Sequence, residues 1–373
     1  MYVDNGKISG RQTFRLYVFD LMGIGTLLLP PYLAKLCGCD GVWAILAGSV
    51  CGFLYLLYLN RIMKKMNRDM TAYLWECRGA LARTVTFLMV GVHGILTAGF
   101  CACVFARLMQ HSLIREVSYE LILLVIIVTA TYAVSGGIES RARVYEILFW
   151  LVLIPYVAMM LASVRDFEPA YMDTFLVTDA GNLGKGIYLV FLLLTPLFFS
   201  LFLIQEKEKS AKSSMFRNVS AAVLVSAIIL LGSYVLLVGN FGAKSLSTMR
   251  FPVVTLMSTI QFEGNFLKRM DALMVAVWFF TLFALLNLHL HYAVKMGKEL
   301  GKKYKGRLPY KIITLLLPAL LSYGVGYGME HVDGALNLFL KYYSYVAVPL
   351  MIIGPGLLLI GRKEHACQNK KES

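Results

Sequence analysis

Charged residues are scarce in this 373-residue chain: 16% of positions, against about 25% in soluble proteins. Acidic residues are scarcest, with 22 Asp and Glu against 36 Lys and Arg. A solvated globular surface is hard to build from so little charge. Nucleotide-binding and hydrolase signatures are also missing. There is no Walker A run, no Gly-x-Ser-x-Gly and no His-Glu-x-x-His. Zinc-ligand spacing is absent, and no paired-carboxylate cluster is visible. These absences exclude the common soluble enzyme classes, and the chain reads as a non-enzyme with no cofactor.

Hydrophobic residues make up 58% of the chain and the mean hydropathy is +0.67. Disorder needs low hydrophobicity and is excluded. A net charge of +14 could suggest nucleic acid, but the basic residues sit in short clumps between long apolar runs. An integral membrane protein follows.

Crossing a hydrocarbon core takes about 20 mostly apolar residues. Ten runs qualify: about 12–36, 41–60, 84–109, 119–136, 144–163, 184–205, 216–239, 269–296, 310–327 and 336–360. They are continuously apolar, which favours helices over barrel strands. The expectation is one all-α polytopic domain over 1–373, with a first half at about 12–163, a second at about 184–360, and a tail at 361–373. Residues 251–262 are apolar but too short to span, and read as an interfacial or re-entrant segment. If the N-terminus is cytoplasmic, 26 of the 36 basic residues fall on the cytoplasmic side, Arg141 and Arg143 among them. Short basic loops stay in the cytoplasm, so both termini are expected there. The first run lacks a small-residue cleavage site, so no cleavable signal peptide is expected.

Two places in the runs interrupt helical order. The first span carries Gly23, Gly25 and Thr26 at mid-membrane, where glycine costs a helix about 1 kcal/mol relative to alanine. Close helix packing explains such residues equally well. The sixth span carries Thr195 and Pro196 in the stretch ending at Phe199. Proline cannot donate to residue 192, so a carbonyl is freed. Spans one and six open the two five-helix halves, and secondary transporters bind substrate between discontinuous helices at such corresponding positions.

The segment Lys7-Ile8-Ser9-Gly10-Arg11-Gln12, leading into Gly23-Ile24-Gly25-Thr26-Leu27-Leu28-Leu29-Pro30, resembles the opening of the spore germination permeases. These are the membrane-permease subunits of bacterial nutrient germinant receptors, within the amino acid–polyamine–organocation superfamily. The stretch from Phe251-Pro252 through Leu267-Lys268-Arg269-Met270-Asp271-Ala272 into Trp278 is similar to that family too. The resemblance implies a LeuT-like five-plus-five inverted repeat with broken first and sixth helices. It also implies a small-nutrient site near those breaks, two partner receptor subunits, and residence in the bacterial cell membrane, specifically the spore inner membrane. A secondary amino-acid transporter of the same superfamily is the alternative.

The candidate ligand site is Gly23, Gly25, Thr26, His93, Thr195, Pro196 and Phe199. A ligand carboxylate is expected at the backbone N–H groups of Gly23–Thr26, and an amino group at carbonyls near Thr195 and Pro196. Asp20, one turn before Gly23, could form a salt bridge, bind a cation, relay a proton, or sit hydrated near the cytoplasmic helix end. His93 suits either a helix-to-helix hydrogen bond or the cavity wall. Glu146 is expected to face cytoplasmic water, and Asp271 to pair with Arg269. His289 and His291, two apart on a helix, point about 200° from each other and cannot share an ion. Among the seven cysteines, Cys37 or Cys39 could join another outer thiol, though no disulfide framework is implied.

Overall fold

A computed structural model describes residues 7–360 except 67, 173–174, 204–214, 260–269, 305, 307 and 332–334. The first helix shows why it starts where it does. Ser9 accepts from the Gln12 N–H at 3.3 Å while Gln12 Oε1 accepts from the Ser9 N–H at 2.9 Å, a reciprocal capping box. Helix α1 then runs Gly10–Cys37 and stops at Gly38, whose φ of +52° a side chain would resist. Helices α2 (Gly41–Met66), α3 (Met70–Cys77), α4 (Ala80–Ser112), α5 (Tyr119–Ser135) and α6 (Gly137–Ala162) follow. The second half holds α7 (Ala180–Leu192), a 3-10 segment (Thr195–Phe202) and α8 (Met215–Leu246). Then come α9 (Pro252–Thr259), α10 (Met270–Leu300), α11 (Leu308–Glu330), α12 (Ala335–Tyr342), a π-helical stretch (Tyr343–Ala347) and α13 (Val348–Ile360).

Among the described residues, seven helical stretches are long and apolar enough to cross a membrane. One of them, Gly10–Met66, contains both α1 and α2 joined by a short turn, and the apolar α5 is shorter. Leu54, Leu88, Val128, Leu151, Ile228 and Leu320 on six different helices are exposed, so apolar side chains cover the outside of the bundle. In water that surface would be an aggregation liability; in a bilayer it is the solvated face. The interior packs α1 against α6, α8 and α10, and α4 against α10 and α11. Trp278 of α10 is fully buried in this core and donates from Nε1 to Thr26 Oγ1 at 3.2 Å.

Two expected breaks come out differently. The sixth run breaks as the proline argument requires. Helix α7 ends at Leu192, Thr195 Oγ1 donates to the Leu192 carbonyl at 2.7 Å, and the chain continues as a 3-10 segment. The first run does not break: α1 is continuous through Gly23–Thr26. Its glycines make room for neighbours instead. A Cβ on Gly23 would lie 3.0 Å from the Thr281 backbone carbonyl, and one on Gly25 would lie 3.0 Å from Leu193 Cδ1. The N–H groups of 23–26 sit inside helical turns, so the expected carboxylate cradle there is not present.

Arg141 is a second correction. Helix α6 starts at Gly137, seven residues before the predicted span, so Arg141 is a helical residue at 5% exposure and not a loop charge. Residues 252–259 do form a short helix. The lysine-rich stretch 204–214, the segment 260–269 with Arg269, the Asp271 side chain and the tail 361–373 lie outside the described residues. Cys37 and Cys39 are buried, their thiols donate to the Asn182 and Tyr171 carbonyls at 3.5 and 3.3 Å, and neither forms the disulfide considered for them.

Candidate functional site

A cavity opens at the place where α7 gives way to the 3-10 segment. Its walls come from α1 (Asp20, Ile24, Gly25, Leu28, Tyr32), α4 (Thr97, Phe100), α7 with its broken end (Leu192, Leu193, Pro196) and α10 (Leu285, His289). Phe339 of α12 and Tyr343 of the π-helical stretch close the remaining side. The volume open to water centres is about 90 Å³. One water needs about 10–15 Å³ on that count, so the space suits several waters or one small organic molecule.

The lining is mainly apolar, with a few polar atoms left over. Thr97 Oγ1 and His289 Nε2 are buried and have no hydrogen-bond partner among the described residues. His289 Nδ1 lies 2.9 Å from the Leu285 carbonyl, which assigns Nδ1 as the protonated nitrogen and makes Nε2 an acceptor. Buried polar groups are nearly always paired. An apolar cavity edged by unpaired hydrogen-bonding atoms is the ordinary form of a small-molecule site.

Of the residues read from the sequence, Asp20, Gly25 and Pro196 line this cavity directly. His93, Thr195 and Phe199 form its supporting layer. The His93 ring lies 5.6 Å from His289, 5.4 Å from Tyr343 and 6.4 Å from Phe199, and its Nδ1 is 3.2 Å from Tyr342 Oη. His93 Nε2 has no partner among the described residues. Thr195 Oγ1 meets Tyr343 Oη at 2.8 Å, tying the broken end of α7 to the π-helical stretch. Phe199 stacks in parallel on Tyr292 at 4.4 Å. Gly23 and Thr26 face α10 through Thr281 and Trp278 and belong to helix packing.

Thr97, Phe100, His289, Phe339 and Tyr343 were not singled out as ligand residues. In the sequence His289 stands out only for its spacing from His291. The others carry no local signal, because a Thr, Phe or Tyr in an apolar run looks the same whether it faces lipid, core or cavity. The π-helical stretch does have a known association with functional positions, but its sequence announces nothing.

The two ends of the cavity differ. Toward the N-terminal end of α1, Asp20 pairs with Arg141, and both side chains are 3% exposed. Nearer that end, Glu146 of α6 takes Arg11 at 2.6 Å, Arg15 at 3.5 Å and Gln12 Nε2 at 2.9 Å. Glu146 thus holds the start of α1 against α6 instead of only facing water. Toward the opposite end, a second cavity of about 370 Å³ shares Leu28, Tyr32 and Phe100 with the first. Lys35, Arg107 and Arg250 line it.

Comparison with known proteins bears on both site and fold. A family model described as "Spore germination protein" (Spore_permease) matches residues 7–322. Spore germination protein A2 of Bacillus subtilis (strain 168) is 21% identical over 350 residues, covering 93% of this chain and 93% of its own. Spore germination protein B2 of the same strain is 22% identical over 284 residues, covering 73% and 74%. Among solved structures, a substrate-bound, outward-open Na+-coupled sialic acid symporter aligns with TM-score 0.66 at 11% identity, over 96% of this chain and 79% of that one. MhsT in complex with L-phenylalanine aligns with TM-score 0.62 at 14% identity, over 93% and 87%. The chain therefore has the fold of these LeuT-type transporters.

Proposed function

The chain belongs to the spore germination permease family, and from that premise we propose that it is the permease-like subunit of a nutrient germinant receptor. It binds one small nutrient, an amino acid by preference, in the cavity beside the broken α7, and that binding triggers germination. The observation that carries this reading is the pairing of an apolar cavity with the unpartnered Thr97 Oγ1 and His289 Nε2. The ligand's apolar body rests on Leu28, Leu285 and Phe339. Its amino group or another donor reaches His289 Nε2, and Thr97 Oγ1 serves as donor or acceptor. A ligand carboxylate would accept from the Thr97 hydroxyl, since α1 keeps its N–H groups in the helix.

Ten crossings in two inverted halves of five are part of the same proposal, supported by helix within each of the ten apolar runs. Cytoplasmic termini are supported by the basic clumps on that side, and residence in the spore inner membrane follows from the family reading. With that orientation the Glu146 and Asp20 contacts shut the cytoplasmic side, and the larger cavity leads outward. Two further receptor subunits are the partners. Ligand binding acts by its different affinity for this arrangement and for one in which α1 has moved.

The test is purified protein in liposomes, screened against amino acids, sugars and nucleosides, with binding and flux recorded separately. A Gly25→Val substitution places carbon against Leu193 and into the cavity. It is expected to abolish ligand-induced thermal stabilisation while the protein still inserts. Unchanged binding in that variant refutes the site. Sustained flux by the isolated protein shows the secondary amino-acid transporter instead.

A further inference from the structure

The larger cavity, at the C-terminal end of α1, carries an excess of positive charge. Lys35 comes from the last turn of α1, Arg107 from α4 and Arg250 from the link between α8 and α9, and all three line it. No acidic side chain stands among its described lining residues, and none of the three cations forms an ion pair among the described residues. Each has a local anchor instead. Lys35 suits the carbonyl end of α1. Arg107 Nη2 donates to the Met329 carbonyl at 3.0 Å and the Glu330 carbonyl at 3.5 Å, in the last turn of α11. The Arg250 guanidinium lies 5.7 Å from the centre of the Phe251 ring. These anchors fix where the charges sit without neutralising them. The Glu330 carboxylate is attracted to Arg107 but does not line the cavity.

We propose that this cavity is a binding site for a small organic anion, one that bears carboxylates on a short carbon frame. Like charges held around one hollow with low-dielectric walls repel each other and focus a positive potential into it. A bound anion relieves that repulsion, and the planar fork of arginine matches a carboxylate. Between the charges the wall is Leu28, Tyr32, Phe100 and Phe251, which suits carbon better than a hydrated inorganic ion. At about 370 Å³, against about 90 Å³ for the smaller cavity, there is room for a molecule with two charged groups. Leu28, Tyr32 and Phe100 belong to both cavities, so an anion seated here lies against the wall of the smaller one. This site is separate from the proposed nutrient site, because Gly25, Thr97 and His289 line only the smaller cavity.

Titration of the purified full chain with succinate at fixed ionic strength, read by calorimetry and by thermal melts, tests it. Succinate is expected to bind saturably and to raise Tm by about 2 °C or more at saturation. Succinamide, of the same shape but neutral, should do neither, and sulfate should bind roughly tenfold more weakly than succinate. Arg107→Gln and Arg250→Gln should each weaken succinate binding roughly tenfold, the worth of one charge-assisted hydrogen bond. Lys185→Gln, an exposed position on α7 that lines neither cavity, should leave it unchanged. If Arg107→Gln does not fold, the Lys35→Gln, Arg250→Gln double variant carries the same test, since both side chains are exposed. Gly25→Val should still bind succinate while it loses the nutrient, so the two readings fail separately. The proposal is overturned by an absence of saturable succinate binding, by equal binding of succinamide or sulfate, by a double variant that binds succinate as the intact chain does, or by loss of succinate binding in Gly25→Val.

Discussion

Gly94 and Gly91 lie three residues apart on α4, both facing α10, and the structure assigns them opposite responses to one added methyl. A Cβ on Gly94 would sit 2.7 Å from the His289 carbonyl oxygen, 3.1 Å from Ala293 Cβ and 3.2 Å from Ala293 N. Two of those atoms are backbone, so no side chain can swing away. Ordinary contact begins near 3.4 Å, and the helices must part by several tenths of an ångström. Overpacking of this kind costs about 1–3 kcal/mol, offset by up to about 1 kcal/mol of helix propensity. A Cβ on Gly91 meets only Met296 Cβ at 3.5 Å, so propensity acts there unopposed. Both variants gain the same propensity, so Gly94→Ala is expected to be destabilised by about 1–3 kcal/mol relative to Gly91→Ala, a gap of a few degrees in detergent. Because the displaced backbone carries His289, Gly94→Ala should also weaken ligand-induced stabilisation, while Gly91→Ala preserves it. Matched melts with and without the ligand found in the liposome screen read both effects. Equal stability of the two variants, or greater stability of Gly94→Ala, refutes the packing argument.

Glu146→Gln removes the charge that holds Arg11 and Arg15 but retains an acceptor for Gln12. Stability should fall by about 0.2–1 kcal/mol, since the contact is part-exposed, and a cysteine placed at Leu21, which also lines the cavity, should label faster with a thiol reagent; an unchanged labelling rate argues against a seal at that end. Trp278→Phe keeps the buried ring but loses the donor to Thr26 Oγ1. Chemical unfolding should show a loss of about 1–2 kcal/mol, from the hydrogen bond and the smaller ring, and a change inside the noise of the assay contradicts that role.

Much of the fold was legible in the residues. Length and continuity of apolar runs are properties of the chain alone, and they placed helix in each predicted run because a bilayer lets no backbone polar group go unpaired. Pro196 broke its helix because a missing N–H is local chemistry. Gly23 and Gly25 were different. A glycine in a helix marks either weakness or contact, and only the position of Thr281 and Leu193 decided for contact. Arg141 shows the same limit: within a basic stretch it counted as a cytoplasmic charge, until the start of α6 carried it into the interior beside Asp20.

By itself, then, the sequence determined where helix forms and the break before Pro196, while the second break it pointed to, at Gly23–Thr26, does not form. Tertiary structure decided what faces the cavity, because Thr97, His289, Phe339 and Tyr343 come from three distant stretches of chain whose local patterns are those of any buried helix. It also decided that the Asp20 and Glu146 ion pairs lie toward the α1 N-terminus, and that a larger space at the other end shares Leu28, Tyr32 and Phe100 with the cavity. Such pairings depend on how helices rotate about their axes and cross. Long-range packing fixes that rotation, and no local periodicity in a uniformly apolar run records it.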